Sequence, residues 1–412
     1  MQKNKSNKAH VIIVGGGIFG CAIAYYFKRD NPDKKVLVFE RNELCSANTS
    51  LAAALMSRVR SYEQAIPLSI ETYKVIEELD KLNEDKLPVH RNGAIHLAVS
   101  GLAAKALDDM LLTASKHGID WQYILAESAA LKVPWLNASL ASKIAFIPDE
   151  ATTDPYLLGK AFATAARKLG VEFFRNTEVE RIVKQNNTVI GISTGAVLYE
   201  ANVTILAAGV WSTMLAYNAG IMLPMAAVRS QYWISAPNIK LFPSGSPTVI
   251  IPEANFYARA FSDSLLFGIR ESESVYAFPD RLPAADENYL YSKDNGMDDL
   301  EKGLEKLLPF FPAITDTGIK NYVAGFSAYT PDNQFILGEV PDIGGILVAT
   351  GCVGAGISVA GGVGLGISRL AAGKPNPFNF NSYRYNRFGN FDPIDPEYLK
   401  LCARARSNKT SG

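Results

Sequence analysis

Residues 11–40 read VIIVGGGIFGCAIAYYFKRDNPDKKVLVFE, and the order of their parts decides the fold. An apolar run, Val11 to Val14, is short enough for a buried parallel strand. Gly15, Gly17 and Gly20 follow in the spacing G-x-G-x-x-G, and Cys21 to Phe27 continue as a helical stretch. A second apolar run, Val36 to Phe39, ends in Glu40, twenty residues after Gly20. Each part has a task in gripping a dinucleotide. Gly15 allows a tight turn, Gly17 lets the backbone approach a pyrophosphate, and Gly20 lets the helix pack closely on the strand. The helix N-terminus offers N–H groups and the positive end of its dipole to phosphates. Glu40 accepts hydrogen bonds from a ribose hydroxyl. The glycines alone would fit an ordinary turn, but strand, helix, second strand and acid in this order point to an adenine-dinucleotide site. NAD, NADP and FAD stay open at this point, with Glu40 disfavouring the 2′-phosphate of NADP.

Outward from that stretch, 412 residues exceed one typical core and suggest two or three domains. Apolar content of 48% with 20% charged residues is that of an ordinary globular protein. The balance of 41 basic against 41 acidic residues leaves no global field for nucleic acid or acidic lipid, so no nucleic-acid partner is expected. Cysteines 21, 45, 352 and 402 form no C-x-x-C, and histidines 10, 90, 96 and 117 form no H-x-x-x-H, so no metal site is expected. The polar N-terminus lacks the apolar core of a secretory signal, and a cytoplasmic setting is the default expectation. Residues 346–368 carry no charge over a length that spans a bilayer. Their seven glycines instead predict a strand, Ile346 to Thr350, a turn, and a helix buried all round. Membrane contact is not expected.

Along the chain, residues 41–61 are crowded with small side chains, and 62–86 read as an amphipathic helix. A turn at Arg91 leads to a strand ending near Val99, and a helix over 101–117 stops at Gly118. Pro148 to Pro155 reads as a loop before a helix starting at Tyr156 and ending at Gly170. Strands are predicted at Val171–Phe174, Val179–Lys184, Val189–Thr194, Val197–Tyr199 and Val203–Ala207. From about Leu223 the texture turns β-rich, with antiparallel strands at Arg229–Ser235, Pro247–Ile251, Asn255–Phe261 and Leu265–Ile269. In the third, Tyr257, Arg259 and Phe261 share a face by the period-2 rule. Gly268 in the fourth suggests something packed close. A helix is predicted over 295–311, and the last residues, Arg404–Gly412, read as disordered.

These pieces together resemble the FAD-dependent amine and amino-acid oxidoreductases related to D-amino-acid oxidase, glycine oxidase, sarcosine oxidase and dimethylglycine dehydrogenase. Five blocks carry the resemblance, in the family's order: the fingerprint 11–40, the small-residue block 46–58, TDP at 153–155, ILAAGVWS at 205–212, and TPDNQFILG with ATGCVGAGI at 330–357. The resemblance implies FAD, and a fold both α/β and α+β: a Rossmann-like FAD-binding domain assembled from separate segments, plus a substrate domain on an antiparallel sheet. The implied segments are 8–88, 149–222 and 323–375 for the FAD-binding domain and 89–148 and 223–322 for the substrate domain, with 376–412 as a C-terminal tail. The implied cofactor contacts are Gly15, Gly17, Ile18, Phe19 and Gly20 with Glu40 and Arg41. In the small-residue block they are Ala47, Asn48, Thr49, Ser50 and Ala53. Farther on come Val179, Ala208, Gly209 and Trp211, and last Gly351, Val353, Gly354, Ala355, Gly356 and Ile357.

The chain departs from its relatives where some of them attach flavin covalently. The position of the attaching histidine in the dimethylglycine dehydrogenase-like members is Leu51 here, and residues 321–331 hold no cysteine such as sarcosine oxidases use. Non-covalent FAD is therefore implied. Cys352 stands where many members have a histidine.

The implied reaction is oxidation of the C–N bond of a small amino acid or N-alkyl amino acid by hydride transfer, with oxygen, a quinone or a partner protein as electron acceptor. The turn Gly351–Ile357, opening a helix, faces N–H groups and a dipole toward charge on the cofactor. A substrate carboxylate needs arginine's paired donors. Arg259 beside Tyr257 is the first choice, resembling the family's aromatic-x-Arg strand, with Arg58, Arg229 and Arg270 in reserve. No carboxylate or histidine stands out as a general base. Two other roles share these features: a subunit of a multi-component amine dehydrogenase, and an FAD-dependent oxidoreductase for a 2-hydroxy acid or polyol phosphate.

Overall fold

The expected strand–turn–helix–strand at 11–40 forms as β1 (Lys8–Val14), α1 (Ile18–Asp30) and β2 (Val36–Phe39). The computed structural model of the chain describes residues 7–83, 86–283 and 294–409. β1 pairs in parallel with β2 on one side and with β11 (Val197–Leu206) on the other. β8 (Glu172–Phe174), β18 (Ile336–Glu339) and β19 (Ile346–Thr350) complete the central order β18-β19-β11-β1-β2-β8, and β10 (Thr188–Thr194) pairs with β11 and with β9 (Arg181–Gln185). Val11 to Val14 are all buried, as a parallel strand covered on both faces requires. The two strands expected at Val197–Tyr199 and Val203–Ala207 are one. Its first half pairs with β10 and its second with β1, so Glu200–Asn202 form no break.

The second sheet is built from β4 (Ala94–Ala98), β5 (Gln122–Tyr123), β6 (Lys143–Ile147), β12 (Ala226–Ser235), β13 (Thr248–Ile251), β14 (Phe256–Phe261), β15 (Ser264–Ile269), β16 (Tyr276–Ala277) and β17 (Ile319–Tyr329). Its pairs are antiparallel except β4 with β13. β17 stays paired with β12 to Tyr329, so this sheet continues past residue 322. The expected loop 148–155 contains β7 (Ala151–Thr152), which pairs with β3 (Leu55–Met56).

α2 (Ile66–Leu82) starts after a 3₁₀ turn at Glu63–Ala65, and the end of the helix expected over 62–86 runs onto residues 84–85, outside the described residues. α3 (Gly101–Lys116) and α4 (Ala126–Lys132) cover the second sheet's first strands, and α6 (Ser212–Tyr217) follows β11. α5 (Pro155–Lys168) begins where Asp154 accepts from Leu157 N at 2.8 Å, with Pro155 at the first helical position. α7 (Met297–Leu307) lies within the helix expected at 295–311.

α8 (Gly356–Ala371) packs against both α1 and α2. A Cβ on Gly362 would sit 2.3 Å from Leu68 Cα, and one on Gly364 2.9 Å from Ala22 Cβ. Close approach on two sides is why the 346–368 run is apolar and glycine-rich. No helix among the described residues is long and apolar enough to cross a membrane.

The tail departs most from expectation. α9 (Pro396–Ser407) packs on β12, β16 and β17. Leu399, Cys402, Ala403 and Arg406 are buried along one helical stripe, so Arg404–Lys409 are ordered. Thr410–Gly412 lie outside the described residues.

Candidate active site

The ends of β1, β2, β11 and β19 open on a cavity of about 620 Å³ that extends to the second sheet, within the usual range of ligand pockets. At one end the chain turns at Gly15, where φ is +106° and a Cβ would meet Ala207 O at 2.5 Å. A Cβ on Gly17 would meet only Thr49 Oγ1, at 3.3 Å, so its open side faces the cavity. α1 starts here without a side-chain cap from Gly17, which keeps orphan N–H groups of its first turn at a wall that includes Gly17, Ile18 and Phe19. Thr49 Oγ1 accepts from Ile18 N at 3.1 Å. Glu40 lines the cavity while its Oε2 accepts from Gly16 N at 2.8 Å and its Oε1 from Asn42 N at 2.9 Å. Arg41 lies 4.7 Å over the Trp211 ring. Glu178, Val179 and Glu180 border the same end.

Ala47, Asn48, Thr49 and Ala53 form the floor, and Ala208, Gly209 and Trp211 a side wall. Asn48 Nδ2 donates to Phe326 O, which ties this floor to β17. Gly354, Ala355, Gly356 and Ile357 bring in the start of α8, which also has no side-chain cap. Four residues of the expected contact set stand behind the wall. Gly20 packs on the turn, where a Cβ would be 1.9 Å from Gly15 O. Ser50 Oγ donates to Ser46 O at 2.9 Å. Gly351 has φ +63° against Ile336, and Val353, at φ +44°, donates its N–H to Ala328 O at 2.9 Å.

The opposite end is cationic. Arg270, Arg406, Arg60 and Lys409 line it, with Tyr232, Tyr257 and Tyr329. Arg270 follows β15 and is 7% exposed. Its Nε and Nη2 have no partner among the described residues. Burial and the neighbouring Arg406 both pull its pKa down, the mark of a charge without its counterion. Glu271 bonds instead to Arg406 and, at 3.4 Å, to Arg229. Burial pushes the Tyr257 and Tyr329 hydroxyls up, so both stay protonated as donors. The close packing expected at Gly268 is the Tyr257 ring across the strand pair, where a Cβ would lie 2.4 Å from Oη.

Tyr257 thus reaches the cavity, but Arg259 does not line it. Arg259 Nε donates to Ala53 O at 2.7 Å, pinning the floor from behind. Arg58 pairs with Asp149 at 3.5 Å over the Tyr73 ring, and Arg229 pairs with Asp299 at 2.5 Å. Neither lines the cavity, so of the four arginines singled out only Arg270 does. Sharing a strand face with Tyr257 was a poor guide because the Ala53 carbonyl engages Arg259 behind the floor. Arg406 and Lys409 were missed with their helix. The signal for it was present in the Asp395-Pro396 start, where Asp395 accepts from Glu397 N at 3.2 Å, and in the 3–4 spacing of Leu399, Cys402, Ala403 and Arg406.

Known proteins resemble this chain along most of its length. The chain is 26% identical over 406 residues to mitochondrial dimethylglycine dehydrogenase of Mus musculus, covering 97% of this chain but 46% of the mouse protein. It therefore spans about half the length of such relatives. Glycine oxidase of Bacillus subtilis (strain 168) is 26% identical, over 88% of this chain and 93% of its own. Among solved structures, L-proline dehydrogenase from P. horikoshii superposes with a TM-score of 0.81 at 21% identity, covering 93% of this chain and 98% of its own, which shows the shared fold. The glycine cradle, the two helix starts and Glu40 fit a dinucleotide. A model of the family DAO, FAD dependent oxidoreductase, matches residues 10–370, a span that includes both sheets, and the chain belongs to this family of FAD-dependent oxidoreductases.

Proposed function

We propose that this protein oxidises the C–N bond of a small amino acid or N-alkyl amino acid, the substrate carboxylate being held by Arg270. The observation that carries this reading is the buried Arg270 guanidinium at the cavity wall, with two of its nitrogens unpartnered among the described residues. Buried charges are costly unless paired, and a carboxylate supplies the missing pair in arginine's two-donor geometry. Tyr257 and Tyr329, held protonated by burial, are further donors beside it. FAD, when bound, supplies the acceptor for a hydride. Gly15, Gly17, Glu40 and Thr49 hold its nucleotide portion, and Gly354 to Ile357 approach its other end. It is held non-covalently, since Leu51 presents only carbon to the cavity. The acceptor that reoxidises it is oxygen, a quinone or a partner protein.

The test is anaerobic bleaching of the flavin spectrum by glycine, N-methylglycine, N,N-dimethylglycine and L-proline, each against its amide, with a 2-hydroxy acid alongside. Bleaching by an amine acid and not by its amide is expected. Bleaching by the hydroxy acid alone overturns the amine reading. FAD released into the supernatant on acid precipitation is the expected sign of non-covalent binding, and colour kept in the pellet refutes it.

A further inference from the structure

We propose that Lys409 is the base that takes the proton from the substrate ammonium, and that a second, smaller cavity behind it carries that proton away. The inference rests on the amine-oxidising function proposed above. An ammonium nitrogen has no free electron pair, so it must lose a proton before the adjacent carbon can give up a hydride. The N–H bond breaks, its electrons stay on nitrogen, and the proton forms a new bond at Lys409 Nζ.

The groups at the cationic end leave few candidates. No histidine or carboxylate lines it among the described residues. Arginine does not deprotonate, and Tyr257 and Tyr329 are pushed upward. Lys409 remains. Its Nζ donates to Val353 O at 2.8 Å, on the turn that opens α8. Burial and then Arg60, Arg270 and Arg406 pull its pKa well down, while Cys352 acts the other way. Arg406 is itself paired with Glu271.

Lys409, Arg60 and Ala355 also border a neighbouring cavity of about 100 Å³, lined further by Tyr62, Gln334 and Tyr383. That volume admits water. Gln334 Oε1 and Tyr383 Oη are buried without a partner among the described residues, as at a hydrated pocket. Lys409 is thus placed where a proton collected on one side can leave on the other.

The test is stopped-flow flavin reduction by N-methylglycine, or the best amine acid of the panel above, from pH 6 to 10 in the FAD-loaded wild type, Lys409→Met and Lys409→Arg. Both variants should keep their flavin spectrum and lose about a hundredfold or more at pH 7. Their rates should rise about tenfold per pH unit as the free amine accumulates, and added methylamine should partly restore Lys409→Met. Wild-type rates in Lys409→Arg would show that only charge matters, and an unchanged pH profile in Lys409→Met would show no role as a base. Either overturns the proposal. If no amine acid reduces the wild-type flavin, the amine function itself fails.

Discussion

The two ends of the cavity are built in opposite ways. The nucleotide end comes largely from one run of sequence, Gly15 to Ala53, and its chemistry is backbone: a glycine turn, helix N–H groups and one carboxylate that braces them. The cationic end collects Arg60, Tyr257, Arg270, Tyr329, Arg406 and Lys409 from five separate segments, and its chemistry is side-chain charge. Under the proposed function, the first holds a constant group for which local geometry suffices, and the second selects one substrate, which needs donors aimed from several directions.

If that division holds, damage to one end should spare the other. Arg270→Met carries the largest expected effect, about 3–5 kcal/mol, or some hundred- to several-thousandfold in kcat/KM for an amino acid, because the bound carboxylate is left unpaired. The amide should lose much less, and FAD content should be unchanged. Equal losses for acid and amide would place the clamp elsewhere.

Gly20→Ala tests the nucleotide end. A Cβ 1.9 Å from Gly15 O forces α1 off the turn, at roughly 3 kcal/mol, seen as a lower Tm and weaker FAD binding in titration. Retained FAD affinity would mean that the turn tolerates displacement. Glu40→Ala should weaken FAD binding by about 1.5–3 kcal/mol, since a charged acceptor is lost, and the bonds to Gly16 N and Asn42 N go with it. Acid-to-amide discrimination should survive in whatever fraction binds flavin. Asp154→Ala belongs to neither end. Loss of the α5 N-cap should cost about 1 kcal/mol in denaturant unfolding, with FAD affinity and substrate preference unchanged.

Most of the nucleotide end was legible in the sequence. Gly15, Gly17, Glu40, Thr49 and Ala208 stand at the cavity wall, Glu40 and Thr49 through bonds to Gly16 and Ile18 within the same stretch. At the cationic end Tyr257 and Arg270 were among the residues singled out, yet Arg259 was preferred to Arg270. Strand periodicity says which residues share a face, and it does not say what lies over that face. Here the floor carbonyl of Ala53 meets Arg259 first.

What the sequence determined by itself, then, is the fold class, the glycine turn between β1 and α1 and the buried glycine helix, all set by short-range steric rules that repeat along the chain. The tertiary structure alone decided which arginine keeps unpartnered nitrogens among the described residues, and that the helix Pro396–Ser407 borders the cationic end. Those outcomes depend on how Glu271, Asp299 and Ala53 are shared among competing cations. Pairing of that kind is fixed by distances between segments 70 to 206 residues apart in the chain, which no local pattern records.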